Sequence, residues 1–192
     1  MKFEEYQQLA MRTSPDGHDR IANGCMGLIG ETGEIVDLVK KWEFQSGDHA
    51  ELPREKLIEE CGDLLWYCAE LATGLEKDLA AAYMGKSSLF DDVRKINRES
   101  PITITAMRLA MIAVRPAQIL FDAIPSDTDD EASREYLKAS VLSNIVGIMS
   151  GIRDFLEFYC RTSLLMAMER NIEKLQRRYP DGFDPERSLH RE

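Results

Sequence analysis

The amino-acid sequence predicts an all-α protein built as a helical bundle, and three observations lead to that expectation. Apolar residues recur three and four positions apart along most of the chain, which is the period of an amphipathic helix. No segment shows the alternation of apolar and polar residues that is typical of a half-buried strand. The 192 residues are 44% hydrophobic and 30% charged, so the chain is large enough for one domain with a substantial core.

The first part of the chain predicts three helices joined by turns. A short helix covers about 3–11 and ends at the turn TSPDGHD. A second helix covers about 19–44. After a polar loop, a proline suited to the first turn opens a third helix over about 53–73. Gly74 ends or kinks this helix, and the helical pattern resumes over 79–83.

The second part of the chain begins with a polar bridge over 87–101, which we expect to be partly helical. An apolar helical stretch follows over 102–123, and Pro116 is expected to bend or break it. Beyond an acidic loop, the pattern predicts a long helix over 136–160 and a final helix over 163–179.

Two acidic pairs are the most informative feature of these helices. Glu31 and Glu34 lie in GLIGETGEIVDLVKK, and Glu60 and Asp63 lie in KLIEECGDLLWYCAEL. At about 100° per residue, one acid of each pair points into the apolar stripe and the other lies at its rim. Inward carboxylates without a cation are unfavourable. Both helices repeat the same arrangement, so we expect four carboxylates to converge on one seam.

A hard divalent cation with oxygen ligands is the natural partner of such a seam, and Mg²⁺ fits best. Two helices packed antiparallel would present the four acids to one or two ions and leave space for phosphate oxygens. The alternative is that the acids line solvated faces, which is the usual role of a lone Glu-x-x-Glu. The shared position of the two pairs within apolar stripes favours the metal site.

The positive side chains for such a site would come from other parts of the predicted helices. Lys56 lies one turn before Glu60, where its alternative role is a helical ion pair. Asn171, Lys174 and Arg178 share one face of the last helix and could clamp a triphosphate, or could form a solvated face near a helix end. Three aromatic residues are candidates for stacking on a base: Trp42, Trp66 and Tyr67. For Trp66, core packing is the favoured role.

Charge and cysteine usage limit the possible partners and location. The net charge of −10 argues against a sequence-independent grip on DNA or RNA, but not against a nucleotide substrate. We find no signal-peptide core and no continuous run of about 18 apolar residues, so no membrane partner is expected. The four cysteines form no CxxC pair, and Cys61 and Cys68 share a helical face. Buried reduced thiols predict a cytoplasmic protein.

A weak internal repeat relates GDLLWYCAELATGLEKDLAAAY to GIMSGIRDFLEFYCRTSLLMAM at an offset of 85 residues. In the second copy, Ile145 and Ile148 occupy the places of Glu60 and Asp63. Either the second half is a duplicate that kept its packing and lost its ligands, or two amphipathic helices simply align. We therefore expect one domain, 1–192, with three parts. These are a metal-binding half over 1–84, an insert or degenerate repeat over 85–160, and a phosphate-binding helix and tail over 161–192.

Three ordered motifs resemble one protein family. The segments GLIGETGEIVDLVKK, EKLIEECGDLLWYCAELA and NIEKLQRRYPDGF resemble the ExxE…ExxD signature and the C-terminal phosphate-binding helix of the MazG-like nucleoside triphosphate pyrophosphohydrolases. That family is part of the all-α NTP pyrophosphatase superfamily, so the resemblance implies a bundle of that type. It also implies Mg²⁺-dependent hydrolysis of an NTP or dNTP to the monophosphate and pyrophosphate, with Mn²⁺ as a substitute ion.

The resemblance also assigns roles to individual residues. The metal ligands it implies are Glu31, Glu34, Glu60 and Asp63. The residues it implies for substrate binding are Lys56, Asn171, Lys174 and Arg178. The catalytic group it implies comprises Glu34, which could orient the attacking water, together with Glu60 and Lys56.

One departure from the family leaves alternatives open. About 80 residues separate the ExxD helix from the NxxKL helix, which follow each other almost directly in small family members. The protein is therefore expected to be either a homo-oligomer or, if the repeat is real, a monomeric pseudo-dimer. The competing function is a nucleotide-sensing or protein-binding module with little turnover. A ferritin-type redox metal protein ranks last, because it needs Glu-x-x-His pairs that this sequence lacks.

Overall fold

The computed structural model describes residues 1–47, 50–123 and 130–189, and within these ranges the chain forms helices and no strand. The predicted all-α fold is therefore confirmed. Short 3₁₀ segments, Phe3–Glu5 and Ser87–Phe90, and a π-helical turn, Leu156–Cys160, flank the α-helices. The α-helices are, in chain order, α1 Tyr6–Met11, α2 Arg20–Gln45, α3 Arg54–Gly74, α4 Leu79–Lys86, α5 Asp91–Glu99, α6 Ile102–Ala113, α7 Arg115–Ala123, α8 Glu131–Phe155, α9 Leu164–Arg178 and α10 Pro185–Leu189.

The ends of the site-bearing helices follow local chemistry. Asp19 caps α2 by accepting hydrogen bonds from the backbone N–H groups of Ile21 and Ala22. Pro53 lies at the N-cap of α3, one residue earlier than the first-turn position we expected. Gly74 is the last residue of α3, and Glu76 just beyond it has a positive φ of 60°.

Helices α2 and α3 form a hairpin that packs unusually closely, because α2 carries glycines where α3 approaches. A Cβ added to Gly24 would lie 2.8 Å from Cβ of Leu71, and one added to Gly27 would lie 2.1 Å from the Tyr67 ring. Real Cβ atoms do not approach that closely, so a larger residue at Gly24 would force the helices apart, and one at Gly27 would displace the Tyr67 ring. The contact fixes the rotation of α2 against α3 and turns their acid-bearing faces toward the same side.

A second hairpin, formed by α6 and α8 with α7 packed on α8, lies against α2. The core runs through both hairpins, and Ile145 and Ile148 of α8 are fully buried in it. Their burial agrees with a second half that packs without acids, and the duplication itself stays a prediction. The predicted bend at Pro116 falls slightly earlier, because α6 ends at Ala113 and Pro116 lies in the first turn of α7.

The segment Ile102–Ala123 differs from the sequence expectation. By length and composition it is long and apolar enough to cross a membrane, although it contains no unbroken apolar run. Only 28% of its most apolar stretch is buried inside the protein. One such segment is weak evidence, because core helices pass the same test. The expected absence of a membrane partner stays a prediction.

All four cysteines are buried free thiols, as predicted for core residues. Burial raises the pKa of Cys25 to about 11 and that of Cys160 to about 12, so both remain protonated at neutral pH. The cytoplasmic location inferred from them stays a prediction.

Candidate functional site

Three of the four predicted metal ligands converge. Glu31 of α2 and Glu60 and Asp63 of α3 each offer a carboxylate oxygen, and these oxygens lie within 4.8 Å of one another. All three side chains are half-buried, with one part facing solvent. A donor set made only of carboxylate oxygens suits a hard cation such as Mg²⁺, so these residues fit the ion that the sequence predicted.

Glu34 lies one turn further along α2, is exposed and is not part of the group of three. Its charge still reaches the site, since it is among the groups that raise the pKa of Glu60. Glu34 lies at the rim of the apolar stripe of α2, which explains both its exposure and its nearness to Glu60. The structure therefore brings together three of the predicted ligands, and the ligand role of Glu34 stays a prediction.

The pKa of Glu60 is raised above its ordinary value. Partial burial is the largest cause, followed by the negative charges of Asp63 and Glu59, while Lys174 acts in the opposite direction. A carboxylate held in this way gains from any added positive charge. The electrostatics of the cluster therefore favour a cation.

Asp63 is held by two side chains of α9. Lys174 Nζ lies 2.6 Å from each of its carboxylate oxygens, and Asn171 Nδ2 donates to Oδ1 at 2.9 Å. The Tyr6 hydroxyl donates in turn to Asn171 Oδ1 at 3.0 Å. Asn171 is only 3% exposed, so its amide is committed to positioning Asp63. Asn171 and Lys174 were predicted to contact substrate; here they contact a predicted metal ligand, and their substrate role stays a prediction.

Two of the three acids, Glu31 and Asp63, line a cleft of about 260 Å³ between α2, α3, α9 and the C-terminal segment, which we call the acid cleft. Arg178, one of the predicted phosphate-binding cations, lines the same cleft. Four aromatic residues form part of its wall: Trp66, Tyr67, Tyr179 and Phe183.

A second cleft of about 390 Å³, the outer cleft, lies between α3 and α9 and is lined by Lys56, Glu59, Asn171, Lys174 and Arg177, among others. The predicted cations are thus divided, with Arg178 in the acid cleft and Lys56 in the outer cleft. Because Lys174 lines the outer cleft and also binds Asp63, it is the link between the two.

Trp66 lines the acid cleft and also packs within the protein, so it combines the two roles that the sequence left open, base stacking and core packing. Its indole Nε1 donates to the Ala10 carbonyl at 3.0 Å and to Thr13 Oγ1 at 3.1 Å. Its ring meets Tyr67 edge-on with 4.9 Å between centroids. Trp42 donates instead to the Ala50 carbonyl and does not line either cleft.

Sequence reasoning missed Glu70, a fully buried carboxylate on α3. Arg20 Nη1 lies 2.9 Å from Oε2, and Oε1 accepts from Ser14 Oγ at 3.2 Å and lies beside His18 Nε2. The segment that Glu70 anchors includes Thr13 and Pro15, which line the acid cleft. An acid in the interior of an apolar helix face, at a position where leucine would pack, was the available signal.

The fold and the site together define a class: an all-α protein with a carboxylate cluster facing a cationic helix across a cleft. Residues 23–100 match the family model of the MazG nucleotide pyrophosphohydrolase domain. This matched region includes both acid pairs. The resemblance that the motifs predicted is confirmed for this part of the chain. Because the matched region ends before α6, it leaves α9 and its cations outside.

One curated relative extends the comparison. A stretch of 62 residues is 44% identical to the Gene 37 protein of Mycobacterium phage L5 and covers 32% of this chain. The match spans about half of that relative, 54% of its length. No solved structure matches.

Proposed function

We propose that this protein hydrolyses a nucleoside triphosphate, NTP or dNTP, to the monophosphate and pyrophosphate, with Mg²⁺ or Mn²⁺ held by the carboxylate cluster. The match to a nucleotide pyrophosphohydrolase domain supports the general activity. The observation that carries the finer proposal is the convergence of Glu31, Glu60 and Asp63 within 4.8 Å of one another.

The three carboxylates would hold the ion at the mouth of the acid cleft. When bound, the ion supplies positive charge for phosphate oxygens and acts as a Lewis acid toward a water molecule. The raised pKa of Glu60 and the proximity of like charges make the metal-free cluster unfavourable. Binding therefore relieves repulsion that the fold imposes, which supports a resident cation.

The phosphates would lie along α9. Arg178 lines the acid cleft and Lys174 links the two clefts through Asp63, while Lys56 lines the outer cleft. A triphosphate placed across Lys174 would have Arg178 on one side and Lys56 on the other. Charge-assisted hydrogen bonds from such cations to phosphate oxygens are among the strongest that proteins make. The aromatic wall around Trp66 would then receive the base by stacking.

Lys174 has two roles in this proposal. Its ammonium neutralises Asp63 in this structure, and it would bind phosphate oxygens if a cation held by the acid cluster took its place at Asp63. Asn171 keeps Asp63 oriented throughout, because its own amide is fixed by Tyr6. Glu34, which is exposed, would orient the attacking water in this proposal and accept its proton.

The test is pyrophosphate release from a panel of canonical and modified nucleoside triphosphates, with and without Mg²⁺. We expect Mg²⁺-dependent release for at least one substrate, and a loss of at least about 100-fold in Glu60→Gln. Glu43→Gln, which changes an exposed acid on α2 outside both clefts, is the matched control and should retain activity. Full activity of Glu60→Gln would contradict the proposed cluster.

A nucleotide-sensing module with little turnover is the second candidate. The close pairing of Lys174 with Asp63 favours it, since a neutralised ligand lowers the drive to bind metal. Tight nucleotide binding by calorimetry without pyrophosphate release from any substrate of the panel would support this candidate over the enzyme.

A further inference from the structure

We propose that a cleft between α5, α6 and α8 is a second ligand site, which takes a small neutral ring compound with one hydrogen-bonding group. This α8 cleft has a volume of about 230 Å³. Its walls are largely apolar, with Phe90, Leu109 and Ile112 among the lining side chains. Among the described residues, it shares no lining residue with the acid cleft or the outer cleft.

Two glycines of α8, Gly147 and Gly151, let the opposite walls of the cleft approach the α8 backbone. A Cβ on Gly147 would lie 3.1 Å from Phe90 Cε1, and a Cβ on Gly151 would lie 3.1 Å from Leu109 Cδ1. Phe90 and Leu109 therefore pack over the two glycines, which lie one turn apart, and the cleft lies beside these contacts. A side chain at either glycine would push these wall residues out of place.

Between the two glycines lies Ser150, which is 2% exposed and lines the same cleft. Its hydroxyl has no hydrogen-bond partner among the described residues. Leaving a buried hydroxyl unpaired is costly, and a bound group that accepts or donates one hydrogen bond would remove that cost. This orphan hydroxyl is the independent sign that the cleft receives a ligand.

The other polar groups of the cleft are already satisfied, which limits the charge of the ligand. Asp154 accepts from Asn97 Nδ2 at 3.0 Å and from Arg94 Nη1 at 3.0 Å. Arg108 Nη1 donates to Ser100 Oγ at 2.8 Å. Since the buried carboxylate is already paired, an ionic ligand would gain little, and a neutral one is favoured.

The size of the cleft selects one fused ring system. Pockets for drug-sized ligands have volumes of roughly 300–1,000 Å³, and this one is smaller. Indole is a suitable probe, because it is neutral, bicyclic and carries one N–H donor. Indene has nearly the same shape and lacks that donor, so the pair measures the hydrogen bond to Ser150.

The experiment measures binding of indole, indene, adenine and uracil to the full chain by protein-detected NMR titration. We expect at least one heteroaromatic probe to shift resonances of α8, and Ser150→Ala to weaken its binding by about fivefold to tenfold. Gly151→Leu should abolish binding by displacing Leu109, which lines the cleft. Glu60→Gln, in the carboxylate cluster, is the control and should bind the probe unchanged.

Two results would overturn the proposal. One is the failure of all four probes to bind. The other is binding that survives both Ser150→Ala and Gly151→Leu, provided that circular dichroism shows both variants to be folded. Because none of these readouts measures hydrolysis, the outcome is independent of the proposed pyrophosphohydrolase activity.

Discussion

Lys174 Nζ lies 2.6 Å from both carboxylate oxygens of Asp63, so a side chain of α9 holds the place of a cation within the acid cluster. The pair joins residues 111 positions apart and is only partly exposed. A divalent ion that uses Asp63 must therefore share this carboxylate with the ammonium or displace it.

Replacing Lys174 by glutamine should strengthen metal binding and weaken catalysis. Removing the competing ammonium should tighten Mn²⁺ or Mg²⁺ binding about threefold to tenfold, measured by calorimetry. Turnover should fall at least about tenfold, because a phosphate-binding cation is lost. Lys56→Gln, in the outer cleft, should leave metal affinity unchanged. Weaker metal binding by Lys174→Gln would contradict the competition.

Replacing Glu60 by glutamine should stabilise the metal-free protein while abolishing its stabilisation by metal. The pKa of Glu60 is raised in the folded state, chiefly by burial, so the folded state holds a proton that the unfolded chain releases. The free energy of unfolding of the wild-type protein should therefore fall as the pH rises from the ordinary glutamate pKa through the raised one. Thermal unfolding across that interval should show a smaller fall in Glu60→Gln. An identical pH dependence would argue against the raised pKa.

Two alanine substitutions on α2 should have opposite effects on stability. Gly24→Ala should destabilise by about 1–3 kcal/mol, because its Cβ would lie 2.8 Å from Leu71 Cβ and 3.0 Å from Leu71 Cα. A Cβ at Gly30 meets no described atom within 4 Å, so Gly30→Ala should stabilise by about 0.5–1 kcal/mol. Urea unfolding measures both. Equal effects would show that the helices do not approach as closely as described.

Glu70→Gln should lower stability and loosen the acid cleft. It leaves Arg20 and His18 without their carboxylate partner, which should cost about 1–3 kcal/mol in urea unfolding. Because Thr13 and Pro15 belong to the segment that Glu70 anchors, KM for the nucleotide should rise more than kcat falls. Glu135→Gln, which breaks an exposed ion pair with Lys77, should change neither the free energy of unfolding nor KM appreciably. A loss of kcat alone would point to another role for Glu70.

Periodicity predicted the site-bearing helices well, because the signal is local. The expected helix over 19–44 is Arg20–Gln45, and the expected helix over 53–73 is Arg54–Gly74. The convergence of Glu31 with Glu60 and Asp63 also followed from wheel positions on two packed helices. Each inference needed only residues a few turns apart and the assumption that apolar stripes face each other.

The rest of the site depends on contacts that cross long stretches of chain. Nothing local indicates that Asn171 and Lys174 turn onto Asp63, because α9 could have presented that face to solvent. Glu70 was missed because its partners lie just before α2 and at the first residue of α2, about 50 positions away. The buried hydroxyl of Ser150 is equally invisible in sequence, since its lack of a partner depends on where α5 and α6 lie.

Helix α6 packs against α2, and this contact has a consequence for how the protein behaves on dilution. Two hairpins joined by one polypeptide meet at an effective local concentration set by their tether, whatever the amount of protein in solution. Part of the α2 surface is thus covered by α6 within one chain, without a collision between molecules. The contact between these two helices therefore does not depend on the protein concentration.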